Sequence, residues 1–150
     1  MSNIFDIAGG LSMSFREVSA WVMAALMTAT GLYYLSTYQT AAKALGASPP
    51  MQAFIPYAIV VVIASIIVQA ALASFAPKSA ERTPDERERP ALWRAGHWAG
   101  LLQAGLCICA LLYTIHTGDL ALLFHLIVGG LILAQIAEYG LQIVFLRLTA

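Results

Sequence analysis

The sequence predicts an all-α membrane protein: a single domain over residues 1–150 in which four transmembrane helices form an antiparallel, up-down-up-down bundle with both termini cytoplasmic. Three observations carry that expectation. The chain is 60 % apolar and only 11 % charged, whereas an average soluble domain is about a quarter charged. Four apolar stretches, Val18–Tyr38, Phe54–Phe75, Gly96–Ile115 and Leu120–Phe145, each approach the roughly 20 residues that cross about 30 Å of hydrocarbon at 1.5 Å per residue. Finally, Arg16, Lys78, Arg82, Arg87, Arg89, Arg94 and Arg147 fall in the first tail, the middle loop and the last segment, while only Lys43 falls in the other two loops. Positive residues near membrane ends stay in the cytoplasm.

Helices are expected at about residues 15–38, 53–76, 92–116 and 119–147, with a cytoplasmic loop at 77–91. Lipid offers no hydrogen-bond partner, so each stretch must satisfy its own backbone as a helix, and the many short alternating strands of a barrel are absent. Residues 1–13 read as an interfacial tail broken at Gly9-Gly10. Ser14-Phe15-Arg16-Glu17 matches a capping box, which makes Glu17 a helix cap rather than a buried acid. Ala44-Leu45-Gly46-Ala47 could pass for a signal-peptide cleavage site. The first apolar core is about twice too long for that reading. Ser48-Pro49-Pro50 stiffens the first outer loop, and Tyr33, Tyr34, Tyr38 and Tyr57 gather at that level as an aromatic belt.

In the middle loop, Thr83-Pro84-Asp85-Glu86 reads as a helix start outside the membrane, and Pro90 interrupts that helix or restarts the third span. Asp85, Glu86, Arg87, Glu88 and Arg89 alternate in sign. They form either a solvated turn or a partner-docking site. Residues 116–119 are so few that the third and fourth helices must be antiparallel neighbours. Gly96, Gly100 and Ala104, and Gly130 and Ala134, repeat at four-residue spacing, as close helix packing or a homo-oligomer seam would require.

Polar residues placed by depth give the sharpest functional pattern. Counted from Lys78, Arg94 and Arg147, the residues Gln69, Gln103 and Glu138 each lie nine positions into the membrane, about 13 Å. Gln135, Glu138 and Gln142 share one helix face. The set Gln69, Gln103, Gln135, Glu138 and Gln142 is therefore expected as a buried polar layer. It either glues helices together or forms a proton or cation site on Glu138. His97, His116 and His125 offer no pair at one depth for axial haem ligation. His116, Asp119 and His125 are weak candidates for a metal at the outer rim. Cys107 and Cys109 lack the C-x-x-C spacing of a thiol oxidoreductase and read as small fillers. No nucleophile-base pair, phosphate loop or other catalytic motif is present, so no enzyme activity and no cofactor are expected. Eight positive and eight negative side chains give no field for direct nucleic-acid binding.

Asp85-Glu86-Arg87-Glu88-Arg89 followed by Arg94-Ala95-Gly96, with the ending Ala134-x3-Glu138-x3-Gln142 and Arg147, resembles a group of small prokaryotic four-helix membrane proteins. Members of that group often carry a D-E-R-D/E motif before helix three and are often encoded beside a helix-turn-helix regulator. The resemblance covers the layout of the whole chain through some 15 residues. Pro90, Trp93 and the single terminal Arg147 depart from the group's pattern. It implies a prokaryotic inner membrane, a possible regulatory partner and no established activity. The expected function is that of a non-enzymatic accessory or regulatory protein, bound to lipid and to a cytoplasmic or membrane protein partner or to further copies of itself. The alternatives are a small proton- or cation-coupled transporter or channel subunit using Glu138, and a subunit of an electron-transfer or light-harvesting complex with Trp93, Trp98 and the histidines beside its cofactors.

Overall fold

A computed structural model describes residues 15–75, 86 and 88–149, and these form four α-helices. All four are long and apolar enough to cross a membrane. They are α1 (Phe15–Leu45), α2 (Phe54–Phe75), α3 (Glu88–Thr117) and α4 (Leu120–Thr149), and a 3-10 turn over Met51–Ala53 leads into α2.

Two boundaries differ from the sequence expectation. α1 runs seven residues beyond position 38 and stops where Gly46 takes φ +63, a left-handed conformation that only glycine adopts without penalty. α3 begins at Glu88 and carries Pro90 inside its first turn. The missing N–H costs nothing there, so Pro90 helps to start this helix rather than breaking it. The short helix expected from Thr83-Pro84-Asp85-Glu86 falls mostly outside the described residues.

The α3–α4 connection is built from two caps. Gly118, at φ +71, donates its N–H to the Thr114 carbonyl at 2.7 Å and ends α3. Asp119 then accepts the Leu122 N–H on Oδ1 at 3.0 Å and starts α4.

α4 is the central element. It packs along α3 and along α1, while α1 and α3 scarcely meet. Small residues make both seams close. Along α3, Ala91, Ala95, Ala99, Ala110 and Thr114 are buried, and opposite them a Cβ added to Gly130 would lie 3.4 Å from Leu106 Cβ. Between α1 and α4, a Cβ on Gly31 would lie 2.7 Å from Ile132 Cγ2, nearer than real carbon atoms approach. In hydrocarbon, where helices gain nothing by hiding apolar surface, such backbone proximity is what holds them together.

The small-residue stripe on α3 thus sits one position away from the one expected. Gly100 and Ala104 face outward, and Ala95 and Ala99 line the seam. Gly96 lies beside the seam, where an added Cβ would be 3.8 Å from Glu138 Oε1.

α2 stands apart from this trio. No residue of its apolar window is buried, whereas 17 %, 17 % and 22 % are buried in the windows of α1, α3 and α4. Its ring contacts to the other helices come from its first two turns. Phe54 meets Tyr34 and Phe124, and Tyr57 meets Tyr34.

Candidate functional site

Polar side chains collect at three levels of the trio. At one end, which we call the charged end, Arg147 Nε donates to Glu17 Oε1 at 2.6 Å, and the Arg147 guanidinium lies 5.9 Å from the centre of the Trp21 ring. Arg16 Nε donates to Glu88 Oε2 at 3.2 Å. These contacts fasten α1 to α4 and α1 to α3. Glu17 is only 8 % exposed, which corrects the expectation that it would not be a buried acid. An ion pair joining residues 130 apart in sequence leaves no trace in a local motif.

In the middle level, Glu138 is held from its own helix. Gln135 Nε2 donates to Oε2 at 3.1 Å and Gln142 Nε2 donates to Oε1 at 3.2 Å. The i, i+3 and i+7 spacing does place these three residues on one face. The group sits opposite Gly96, where an added Cβ would be in ordinary contact with Oε1 at 3.8 Å.

The wider polar layer does not assemble. Gln103 faces Gly130, eight residues before Glu138 on α4 and so just over two helical turns, about 12 Å, from its level. Its Nε2 donates to Cys107 Sγ at 3.2 Å, while its buried Oε1 has no partner. Gln69 is exposed on α2, away from both. The boundary charges explain the error. Arg94 lies six residues inside α3, whereas Arg147 lies near the end of α4; nine residues counted from each therefore end at different depths.

At the opposite, aromatic end, His125 is 8 % exposed and both ring nitrogens are engaged. Nε2 donates to the Pro49 carbonyl at 2.9 Å, since that oxygen can only accept. Nδ1 lies 2.5 Å from the Tyr34 hydroxyl, which donates to it when the ring carries its single proton on Nε2. Tyr38 packs on the same ring at 4.8 Å between centroids. Beside this network, Tyr33, Tyr38, Phe54, Tyr57 and Val60 help to line a half-open cleft of about 170 Å3. Its walls are aromatic, and both histidine nitrogens are already used within the protein.

Ser48 extends the same fastening, donating its hydroxyl to Asp119 Oδ2 at 2.6 Å. That bond, and then the Leu122 N–H, hold the Asp119 carboxyl below the usual aspartate range. Asp119 is thus committed to capping α4 and anchoring the 46–53 connection. His116 is exposed. Among the described residues no three histidine, cysteine or acidic side chains converge as metal ligands, so the structure does not bring His116, Asp119 and His125 together as a site.

Sequence reading placed His125 at an outer rim and Tyr34 and Tyr38 in a belt facing the bilayer interface. Tyr34 and Tyr38 are four residues apart, hence on one face of α1, and that spacing was the available signal for an inward aromatic cluster. Nothing local identified its partner on α4. Of the expected docking loop, Glu86 occupies a turn, Glu88 pairs with Arg16 and Arg89 is exposed in α3, while Asp85 and Arg87 lie outside the described residues. Trp93 stacks on His97 at 5.9 Å on the exposed face of α3. Compared with known protein families, with curated proteins and with solved structures, the chain matches none.

Proposed function

We propose that this protein is a non-enzymatic accessory or regulatory component of a prokaryotic inner membrane that acts by holding a partner. In this reading the four helices cross up-down-up-down, both termini are cytoplasmic, and the 77–91 loop faces the cytoplasm as a second contact region. The observation that carries the reading is the isolation of α2. α1 and α3 already close small-residue seams on α4, whereas no residue of the α2 apolar window is buried and its ring contacts to the trio are confined to its first two turns. A span added to a trio that packs without it is suited to contacts beyond this chain.

The polar centres support association over turnover. The carboxylate of Glu138 has a carboxamide N–H on each oxygen, both from its own helix, which is the geometry of a fixed clip. Both nitrogens of His125 are spent on fastening a loop and a tyrosine. A proton- or cation-coupled carrier using Glu138 is the competing reading. It requires Glu138→Gln to abolish ion flux in proteoliposomes while leaving the fold intact.

The test is gentle extraction from the native membrane followed by intact-complex mass spectrometry. The expected result is a stoichiometric complex larger than one 16.1 kDa chain with its lipids. Neutralising Asp85, Glu86, Arg87 and Arg89 should release any cytoplasmic partner. Glu88 is left unchanged in that variant because it ties α3 to Arg16. A particle holding a single copy and nothing but lipid would remove the proposal.

A further inference from the structure

On α2, Ile55, Ile59, Val62, Ile66 and Gln69 follow one another at spacings of four, three, four and three residues. That is the heptad repeat of a helix that packs lengthwise on another helix. All five are exposed, the four aliphatic residues by 57, 54, 58 and 63 %. The stripe spans about 80° of the helix surface at 100° per residue, opposite the half-buried row of Tyr57, Val61, Ala64 and Val68.

Gln69 is the telling member. It lies five residues, about 7 Å, inside the end of the Phe54–Ser74 span, and among the described residues its carboxamide has no hydrogen-bond partner. An apolar stripe alone could rest against lipid, which is as apolar as isoleucine. A carboxamide cannot, because acyl chains supply neither donor nor acceptor and an unpaired polar group in hydrocarbon is costly. The occupant of this face must therefore bring a hydrogen-bonding group to the depth of Gln69.

We propose that the occupant is α2 of a second copy of this chain, packed in parallel along the heptad stripe with the two Gln69 carboxamides hydrogen-bonded across a two-fold axis. A carboxamide carries both a donor and an acceptor, so it complements itself. Copies inserted with the same topology and related by an axis normal to the membrane present α2 in parallel, and Gln69 then meets Gln69 at one depth. β-branched residues above it give the stiff, well-defined surface that lengthwise packing uses. The interface rests on the association reading above, and it names the partner.

The experiment uses the full chain in its native membrane, with a photo-crosslinking amino acid at Val62 on the stripe or at Ile67, which points about 140° away from Val62. Val62 should yield an adduct of about twice the 16.1 kDa chain mass, and Ile67 should not. Gln69→Leu should lower the yield of that adduct about tenfold, from the usual strength of an interhelical side-chain hydrogen bond, while Gln69→Asn, which keeps the carboxamide, should largely restore it. Adducts to a different protein at Val62 would overturn the self-association and leave the accessory function standing. Adducts to lipid alone would overturn both. Equal dimer yield from Val62 and Ile67, or an unchanged yield in Gln69→Leu, would overturn the proposed interface.

Discussion

Replacing Gly31 by alanine tests whether backbone proximity holds α1 to α4. The new Cβ would stand 2.7 Å from Ile132 Cγ2, about 1 Å inside an ordinary carbon–carbon contact. Cγ2 is fixed to a β-branched carbon, and a single χ1 rotamer dominates there in a helix. It cannot swing aside as the tip of a long side chain would. Overpacking of this kind costs about 1–3 kcal/mol, and the gain in helix propensity from glycine to alanine returns at most about 1 kcal/mol. Gly31→Ala should therefore lose about 1 kcal/mol, read as a shift in denaturation of the detergent-solubilised protein. Ile132→Leu keeps the side-chain volume and removes the Cγ2 branch, so the double variant should recover most of the loss. Gly100→Ala serves as the control, since an added Cβ there meets nothing within 4 Å. If Gly31→Ala were neutral or stabilising, or if Ile132→Leu failed to rescue it, the close-approach account of the α1–α4 seam would be wrong.

Arg147→Leu removes the 2.6 Å bond to the buried Glu17 and the contact with Trp21; because Arg147 is half-exposed, the loss should be about 1 kcal/mol rather than the several expected of a fully buried pair, and a variant as stable as wild type in the same denaturation assay would refute it. Tyr34→Phe deletes the bond to His125 and should cost about 1 kcal/mol, and His125→Leu should in addition free the Pro49 carbonyl, so that hydrogen exchange rises across residues 46–53 and not across α3. Asp119 titrates below its ordinary range, so its contribution to stability is present at neutral pH and is lost as pH falls through the lowered value, below about pH 4. Asp119→Asn should flatten that acid limb in a pH series of thermal unfolding curves. An unchanged limb would mean that the Ser48 and Leu122 contacts do not persist.

The four spans were legible because a membrane imposes a length and a composition that any sequence must meet. The apolar stretch Phe54–Phe75 coincides with α2, within the expected helix of about 53–76. The internal face of α4 was legible too, since Gln135, Glu138 and Gln142 recur at helical spacing. What remained hidden depends on pairs of helices. The seam on α3 runs through Ala95 and Ala99 instead of Gly100 because the approach of α4, absent from the sequence of α3, decides which neighbouring stripe is used. Gln69, Gln103 and Glu138 share a depth only if Lys78, Arg94 and Arg147 mark one level. A helix that begins six residues before its arginine breaks that assumption. His125 reads from sequence only as a residue of the outer rim because its partners, Tyr34 and Pro49, lie 91 and 76 residues away.

The central place of α4 also sets an order of events during synthesis. A ribosome delivers the four spans in chain order, so α1, α2 and α3 leave the insertion machinery before the helix that both α1 and α3 pack against. Until α4 arrives, the bare backbone at Gly31, the alanine row of α3 and the carboxylate of Glu17 lack the helix that covers or pairs with them. Assembly therefore ends with a keystone insertion. A chain interrupted before residue 120 would present three spans with scarcely any contact between α1 and α3, the kind of exposed seam that membrane proteases and chaperones have time to inspect.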